Sequence, residues 1–322
     1  MGIRLLNKYI KTNCKNSINI IKMEELNGKY IAIDTSIYLY RFLQEDVLLE
    51  NFYLLLSLLK YYNISAIFVF DGKPPEEKYE LIEKRNILKE KAREEYKEME
   101  LKYNMIDMNK DNKEERILLE HEMIELKKKF VKVEKYHYDI IKKLITAFGE
   151  SYLDAEGEAD KICAKLVIKN IAYACLSEDM DLFLYGCPRV LRYLSLLNKS
   201  MVLYNLNEIL KELNVSLNDF REICVLSGTD YNSNKDKNFD LYKSLEIYEN
   251  YKNDRKKSCN MDFYTWIDNN RKGIVDIIKL YIINNMFLID NVELKEYKIN
   301  RNLINKNTIK EIMKDDGFIF VN

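Results

Sequence analysis

The sequence predicts an α/β fold built on a parallel sheet, and three observations carry that prediction. Short β-branched, apolar runs at KYIAID (29–34), ISAIFVFDG (64–72) and IAYACLS (171–177) read as strands buried on both faces. Helical patterns separate them, and strand–helix alternation of this kind means a parallel sheet. Each run ends in or leads into acids: Asp34, Asp71, and the pair Asp179 and Asp181 within EDMD (178–181).

The elements follow in order. SIYLYRFL (36–43) and NFYLLLSLLKYY (51–62) read as helices, and KPP (73–75) punctuates the chain after the second strand. Residues 76–135 change character, because thirty-three of these sixty are Asp, Glu, Lys or Arg and none is Pro or Gly. Long Glu/Lys-rich helices fit that composition, as a solvated hairpin or as a cap over a polyanion, and composition alone favours the hairpin. HYDIIKKLITAFG (137–149) is an amphipathic helix closed by Gly149. EGEADKICAKLVIKN (156–170) places small and apolar residues at 159, 162, 163, 166 and 167 on one helical face. RVLRYLS and MVLYNL are further strand candidates around Asn198, while LNEILKEL and SLNDFREICVLSG are helices, the second capped by Ser216. Beyond residue 232 the chain is Asn/Lys/Tyr-rich and mostly helical in pattern. The organisation expected is a core in two parts, 1–75 and 136–231, with a helical insertion at 76–135 and a helical region at 232–322.

Composition bounds the function. The chain has 322 residues, a length for about two domains. Its 51 Lys and Arg against 52 Asp and Glu leave a net charge of -1, so a nucleic-acid partner would have to be met by local patches. The six cysteines, at 14, 163, 175, 187, 224 and 259, form no CxxC pair and lie near no His, which argues against zinc or a disulfide framework. A reducing intracellular setting is expected. With only His121 and His137 in the chain, histidine-based triads are nearly excluded. MGIRLLNKYIK has no apolar stretch of signal-peptide type, Leu6 stands where myristoylation of Gly2 would want Ser or Thr, and no run approaches a membrane span.

Placement of the acids is the most informative feature. Ligands of open parallel sheets sit outside the carboxyl ends of the strands, where Asp34, Asp71, Asp179 and Asp181 would converge. Glu158 and Asp160 open a helix, and Asp230 follows another at a Gly-Thr turn. Like-charge repulsion in one crevice would raise several of their pKa values. Hard divalent cations, Mg²⁺ or Mn²⁺, resolve that repulsion, and two of them suit in-line phosphodiester displacement. Any one of these acids could equally be a turn residue or helix cap; the full set is harder to explain that way.

MGI, IAIDTSIYLYRFL, FVFDGKPP, YLDAEGEADKICAKL, SEDMDLFLYGCPRVLRYL and CVLSGTDY together resemble the flap endonuclease family, the XPG-like structure-specific nucleases, in order and spacing over residues 1–231. The resemblance implies a PIN-like nuclease core and a 5′-directed DNA nuclease using two Mg²⁺, with Mn²⁺ able to substitute. Asp34, Asp71, Glu158, Asp160, Asp179, Asp181 and Asp230 fall on the family's metal-binding carboxylates, Asp160 standing where relatives usually have Glu. Lys78 and Arg85 fall on the basic pair that reaches the scissile phosphate; their i, i+7 spacing puts them on one helix face. Tyr40 matches an aromatic that stacks under a base at the junction, its alternative being core packing, and Gly2 is carried over as a DNA-binding position. The 76–135 block matches the helical gateway through which a 5′ single strand passes.

The chain also departs from the family pattern. Only 36 residues separate Asp34 from Asp71, which shortens the region of the junction wedge and 3′-flap pocket. NSNKDKNFDLYKSLEIY, after Asp230, lacks the Gly-x-Gly turn that grips duplex backbone, so Lys235, Lys237 and Lys243 become candidate duplex contacts. EIMKDDGFIFVN lacks the glutamine-led, aromatic-ended box that docks on sliding clamps. A compact member of this kind resembles nucleases encoded by large DNA viruses, which places it in a nucleus or a cytoplasmic viral replication site. The expected partner is DNA bearing a 5′ flap, nick or junction, in replication, repair or recombination. The alternatives are a sibling nuclease acting on junctions or RNA, and a non-catalytic DNA-binding scaffold that keeps the fold.

Overall fold

The computed structural model describes residues 2–106, 112–232, 240–255, 261–271, 275–289, 303–315 and 317–320. Among them, seven strands form one sheet in the order β1-β7-β6-β5-β2-β3-β4. They are β1 (Ile18–Lys22), β2 (Tyr30–Asp34), β3 (Ser65–Phe70), β4 (Ser151–Asp154), β5 (Ala174–Leu176), β6 (Arg189–Ser195) and β7 (Ser200–Asn205). β4, β3, β2, β5 and β6 run parallel, while β7 joins β6 and β1 antiparallel at one edge. The expected α/β fold with a parallel sheet is therefore present. β1 and β4 were not legible beforehand: β1 alternates weakly, with Ile20 exposed, and β4 has four residues, too few for a period to show.

Helices cover both faces, which is why the central strands read as continuous apolar runs. The two-residue alternation of a strand splits its side chains between two cores. Ala32, Ile67 and Val69 point into one core, and Ile31, Ile33, Ala66, Phe68 and Phe70 into the other. The first core is closed by α1 (Leu6–Asn13), and the second by α2 (Thr35–Gln44) and α3 (Leu48–Tyr61). Next in the chain come α4 (Tyr79–Met105) and α5 (Lys113–Lys129), then α6 (Lys135–Ala147), whose buried residues join the second core. α7 (Ala159–Ile168), the short α8 (Asp181–Leu184), α9 (Leu206–Leu213) and α10 (Leu217–Ser227) all face the first. Ser216 caps α10 as expected, its hydroxyl accepting from the Asp219 N–H at 3.1 Å.

The C-terminal region contributes to both cores. α11 (Leu241–Arg255), α12 (Phe263–Asn270) and α13 (Ile277–Met286) bury Tyr248, Phe263, Trp266 and Leu280 in the first core. α14 (Lys306–Asp315) buries Ile309, Ile312 and Met313 in the second. Among the described residues no helix is long and apolar enough to cross a membrane.

α4 and α5 form the charged insertion. Of their described side chains only Ala92 and Leu126 are buried. The hairpin is tied at its base, where the Gln44 amide donates to the Lys128 carbonyl at 3.0 Å and Tyr96 packs on Phe130 at 5.5 Å.

One buried acid lies away from the strand ends. Glu222 on α10 is 7% exposed, and burial, with Asp219 and Asp262 adding to it against Arg221 and an Asn218 hydrogen bond, pushes its carboxyl up to about 7. A carboxyl raised in the folded state holds its proton there while the unfolded chain has released it. Stability therefore falls as pH rises from the ordinary value of 4.5 through about 7. Glu222→Gln should flatten that fall by at most ~1.4 kcal/mol per pH unit. Urea midpoints across this range provide the check, and identical slopes for the two proteins would refute the assignment.

Candidate active site

The acids converge at the carboxyl edge of the sheet, each positioned by the strand or helix end that carries it. Asp34 closes β2 and begins α2; it is 4% exposed, and its Oδ2 accepts from the Ser177 hydroxyl at 2.8 Å. Ser177, just past β5, also accepts from the Asp179 N–H at 3.1 Å, so one hydroxyl ties two strand ends together. Asp179 in turn accepts from the Asp181 N–H at 3.0 Å, which folds the 177–181 turn over the sheet edge. Glu158 occupies the N-cap position of α7 and Asp160 its first turn. Asp71 lies one residue past β3, and its Oδ1 accepts from the Ala159 N–H at 2.8 Å. Asp71 thus serves as a cap for α7, where a carboxylate is favoured by the unpaired N–H groups of a helix start.

Gly72 makes this convergence possible. Its N–H donates to the Gly157 carbonyl at 2.7 Å, and the Lys73 N–H donates to that of Glu156 at 3.2 Å. A Cβ at Gly72 would stand 2.1 Å from the Ala155 oxygen and 2.6 Å from that of Glu156. Both are backbone atoms, so the 155–158 turn would have to move and take Glu158 with it. Gly72→Ala should cost about 1–3 kcal/mol of stability, as overpacking does. The nuclease activity that the sequence resemblance implies should fall further than the loss of fold explains. Melting temperature and nuclease assays at a temperature where the variant is folded test this, and wild-type values in both would contradict it.

Electrostatics mark four acids. Burial first, and then the Asp71 charge, push the Asp34 carboxyl up to about 8. Burial also raises Asp160, Asp179 and Asp181, with like charges adding: Asp34 beside Asp160, Asp230 beside Asp179, Asp179 beside Asp181. Repulsion was the expected cause, but in the folded chain loss of water is the larger one, because these residues lie under the turns rather than in an open cleft. Among the described residues, Asp160 Oδ1 and Asp181 Oδ1 are buried without a hydrogen-bond partner.

The N-terminal segment reaches the same place. Gly2 has φ +75°, and a Cβ there would lie 2.5 Å from Asp179 Oδ1 and 2.6 Å from Asp181 Oδ1.

α4 crosses the acids with basic side chains. Lys78 ends a 3₁₀ turn, Glu76–Lys78, so it stands just before α4 rather than on it as the spacing implied. Its ammonium pairs with Glu158 and sits 4.8 Å from the Tyr231 ring centre. Burial works to lower its pKa, but the Glu158 carboxylate outweighs burial and holds it above the ordinary value. Two turns on, Arg85 Nη2 donates to Asp230 Oδ2 at 2.9 Å. One turn further, the Lys89 ammonium lies 5.3 Å from the ring centre of Tyr40, which is 38% exposed and so not a core residue. The i, i+7, i+11 spacing therefore forms one basic stripe facing the crevice.

The sequence-derived set of seven acids, Lys78, Arg85, Tyr40 and Gly2 is thus gathered in one region. Lys235 and Lys237 lie outside the described residues, and the Lys243 ammonium pairs with Glu246 at 2.8 Å. Sequence reasoning assigned no role to Ser177, Gly72, Tyr185 and Tyr231, although each lies in a motif that also carries one of the acids. Among the described residues, no three His, Cys, Asp or Glu side chains are already gathered at ligand spacing. Donor chemistry does fit a divalent cation: the buried donors are oxygens, two of them orphaned, and their raised pKa values mark a place where positive charge is favoured.

Comparison with known proteins agrees with this geometry. Residues 1–92 match the XPG N-terminal domain and residues 149–230 the XPG I-region. The chain is 32% identical over 269 residues to flap endonuclease 1 of Methanococcus aeolicus, covering 78% of this chain and 76% of that protein. The catalytic core of Rad2 in complex with a DNA substrate superposes with a TM-score of 0.66 at 20% identity, covering 96% of this chain and 93% of that one. The junction-resolving enzyme GEN1, in complex with product DNA and a Mg²⁺ ion, gives a TM-score of 0.52 at 19% identity, covering 97% of this chain and 64% of that one. Fold and site together define a nuclease core whose acids gather at the carboxyl edge of a parallel sheet. The chain belongs to the XPG family of structure-specific nucleases, the flap endonuclease family.

Proposed function

We propose that the protein is a metal-dependent 5′ nuclease that hydrolyses DNA phosphodiesters at the base of 5′ flaps, at nicks or at junctions. The observation that carries this reading is the juxtaposition of three buried acids, Asp34, Asp179 and Asp181, and the half-buried Asp160 with the basic stripe of Lys78 and Arg85. Held by the seven carboxylates, two Mg²⁺, or Mn²⁺ in their place, would polarise the scissile phosphate and acidify the attacking water. Lys78 and Arg85 lie where a phosphate entering beneath α4 would meet them, and cations there stabilise the charge that develops in phosphoryl transfer. Tyr40, next to Lys89 and partly exposed, offers a flat face to a nucleobase. Gly2, lacking a Cβ, lets the N-terminal segment lie against Asp179 and Asp181. The α4–α5 hairpin, tied to the core by the Gln44–Lys128 hydrogen bond, is suited to pass a 5′ single strand between itself and the core.

Replication, repair and recombination all generate such ends, and the free thiols of Cys14, Cys163, Cys175, Cys187 and Cys224 suit an intracellular, reducing compartment. The test is a panel of end-labelled 5′-flap, nicked, gapped, four-way-junction and RNA substrates with Mg²⁺. Cleavage near the flap base, abolished by chelation, supports the reading. Preference for the four-way junction or RNA points to a sibling specificity. Binding without cleavage of any substrate would leave a DNA-binding scaffold.

A further inference from the structure

We propose that Tyr231 is a positioning residue for this site, orienting Glu158 through its hydroxyl and Lys78 through its ring face. The inference rests on the nuclease reading above and extends it to a residue beside the last acid, Asp230. Tyr231 is 3% exposed. Its hydroxyl meets Glu158 on one side and the Tyr185 hydroxyl, at 2.8 Å, on the other. An ionised carboxylate only accepts hydrogen bonds. The order of donors is therefore set: Tyr185 donates to Tyr231, and Tyr231 donates to Glu158. Of the two Glu158 oxygens, Oε2 takes this bond and Oε1 takes the Lys78 ammonium. The carboxylate plane is thereby fixed from two sides, which leaves the remaining lone pairs of both oxygens for a cation. The same Lys78 ammonium lies 4.8 Å from the Tyr231 ring centre, where the negative face of an aromatic ring attracts it.

Tyr231 is itself held rigidly. Its ring meets Phe287 edge-on at 5.3 Å, and Tyr185 packs on the same Phe287 at 5.0 Å. Its backbone N–H donates to Thr229 Oγ1 at 3.2 Å. That turn is pinned by Asn232, which accepts from the Thr229 N–H and donates to the Val225 carbonyl, both at 2.8 Å. One aromatic side chain therefore links the α10 end, which carries Asp230, to the α7 start, which carries Glu158.

Two variants separate the hydroxyl from the ring, and two measurements separate metal binding from turnover. Mn²⁺ binding to the DNA-free protein is measured by calorimetry, and single-turnover hydrolysis of a 5′-flap substrate is measured at saturating Mg²⁺. Tyr231→Phe should weaken Mn²⁺ binding by roughly tenfold, as loss of a hydrogen bond to a ligating group does. Tyr185→Phe, which removes only the donor behind Tyr231, should weaken it by about two- to threefold. Tyr231→Leu should share the Mn²⁺ defect and be slower than Tyr231→Phe by about fivefold, since it also loses the ring. That extra fivefold should vanish in a Lys78→Ala background, which a merely structural defect would not do. Unchanged Mn²⁺ binding in Tyr231→Phe and Tyr185→Phe would overturn the role of the hydroxyl even if Tyr231→Leu fails to fold. Equal rates for folded Tyr231→Leu and Tyr231→Phe would overturn the role of the ring. A wild-type protein that neither binds Mn²⁺ nor cleaves would instead overturn the nuclease reading, and this proposal with it.

Discussion

Asp181→Ala and Asp179→Asn should each lower flap hydrolysis by roughly a thousandfold or more, the several kcal/mol that metal-assisted charge stabilisation supplies. Binding of flap DNA should change little, because contacts to phosphate dominate affinity. The local geometry sharpens the expectation. Asn at 179 keeps an oxygen for the Asp181 N–H and loses only the charge. Ala at 181 removes a carboxylate whose buried Oδ1 has no hydrogen-bond partner among the described residues, so no bond from them to that oxygen is broken. Burial already disfavours its charge, so the metal-free Asp181→Ala protein should melt no lower than wild type. Ca²⁺ should occupy the site without supporting turnover, because its looser coordination does not enforce the octahedral geometry of Mg²⁺. Single-turnover assays beside filter-binding titrations and melting curves decide the matter. Wild-type rates from either variant would remove these two acids from the chemistry.

Lys78→Ala and Arg85→Ala should each slow the single-turnover rate by roughly a hundredfold, about 3 kcal/mol, and weaken binding much less. Their surroundings differ. The Lys78 side chain is 14% exposed and that of Arg85 46%, so Lys78 is the more strongly committed of the two. Among the described residues, removing Lys78 also leaves Glu158 with a single side-chain partner, Tyr231. Lys78→Ala should therefore lower the Mg²⁺ needed for half-maximal rate, because a cation that competes for the Glu158 carboxylate is lost. Arg85→Ala should move that value less, because the Arg85 side chain is half exposed and water screens its pairing with Asp230. Should both variants lose affinity alone, Lys78 and Arg85 are ordinary phosphate contacts.

Much of this was legible in the chain. Strand–helix alternation and acids at strand ends placed β2, β3 and β5 and their carboxylates, because a buried parallel strand leaves a continuous apolar run. β4 was missed because its four residues carry no period, and β1 because an edge strand need not be apolar. The charged block could be read as helical but not located, since its position depends on a few contacts such as Gln44 to Lys128 and Lys89 to Tyr40. Tyr231 and Ser177 were invisible for another reason. Their importance lies in hydrogen bonds between residues 73 and 143 positions apart, to Glu158 and Asp34, and no local pattern records such a pairing. The rank of burial over repulsion in raising the acids was also a property of packing alone.

The central claim is that these carboxylates form a divalent metal centre. Anomalous diffraction from crystals soaked in Mn²⁺ tests it most directly. The account predicts two Mn²⁺ peaks about 4 Å apart at the carboxyl edge of the sheet, between Asp34, Glu158, Asp160, Asp179 and Asp181. Peaks elsewhere, or none in crystals of protein that cleaves DNA with Mn²⁺, would contradict it.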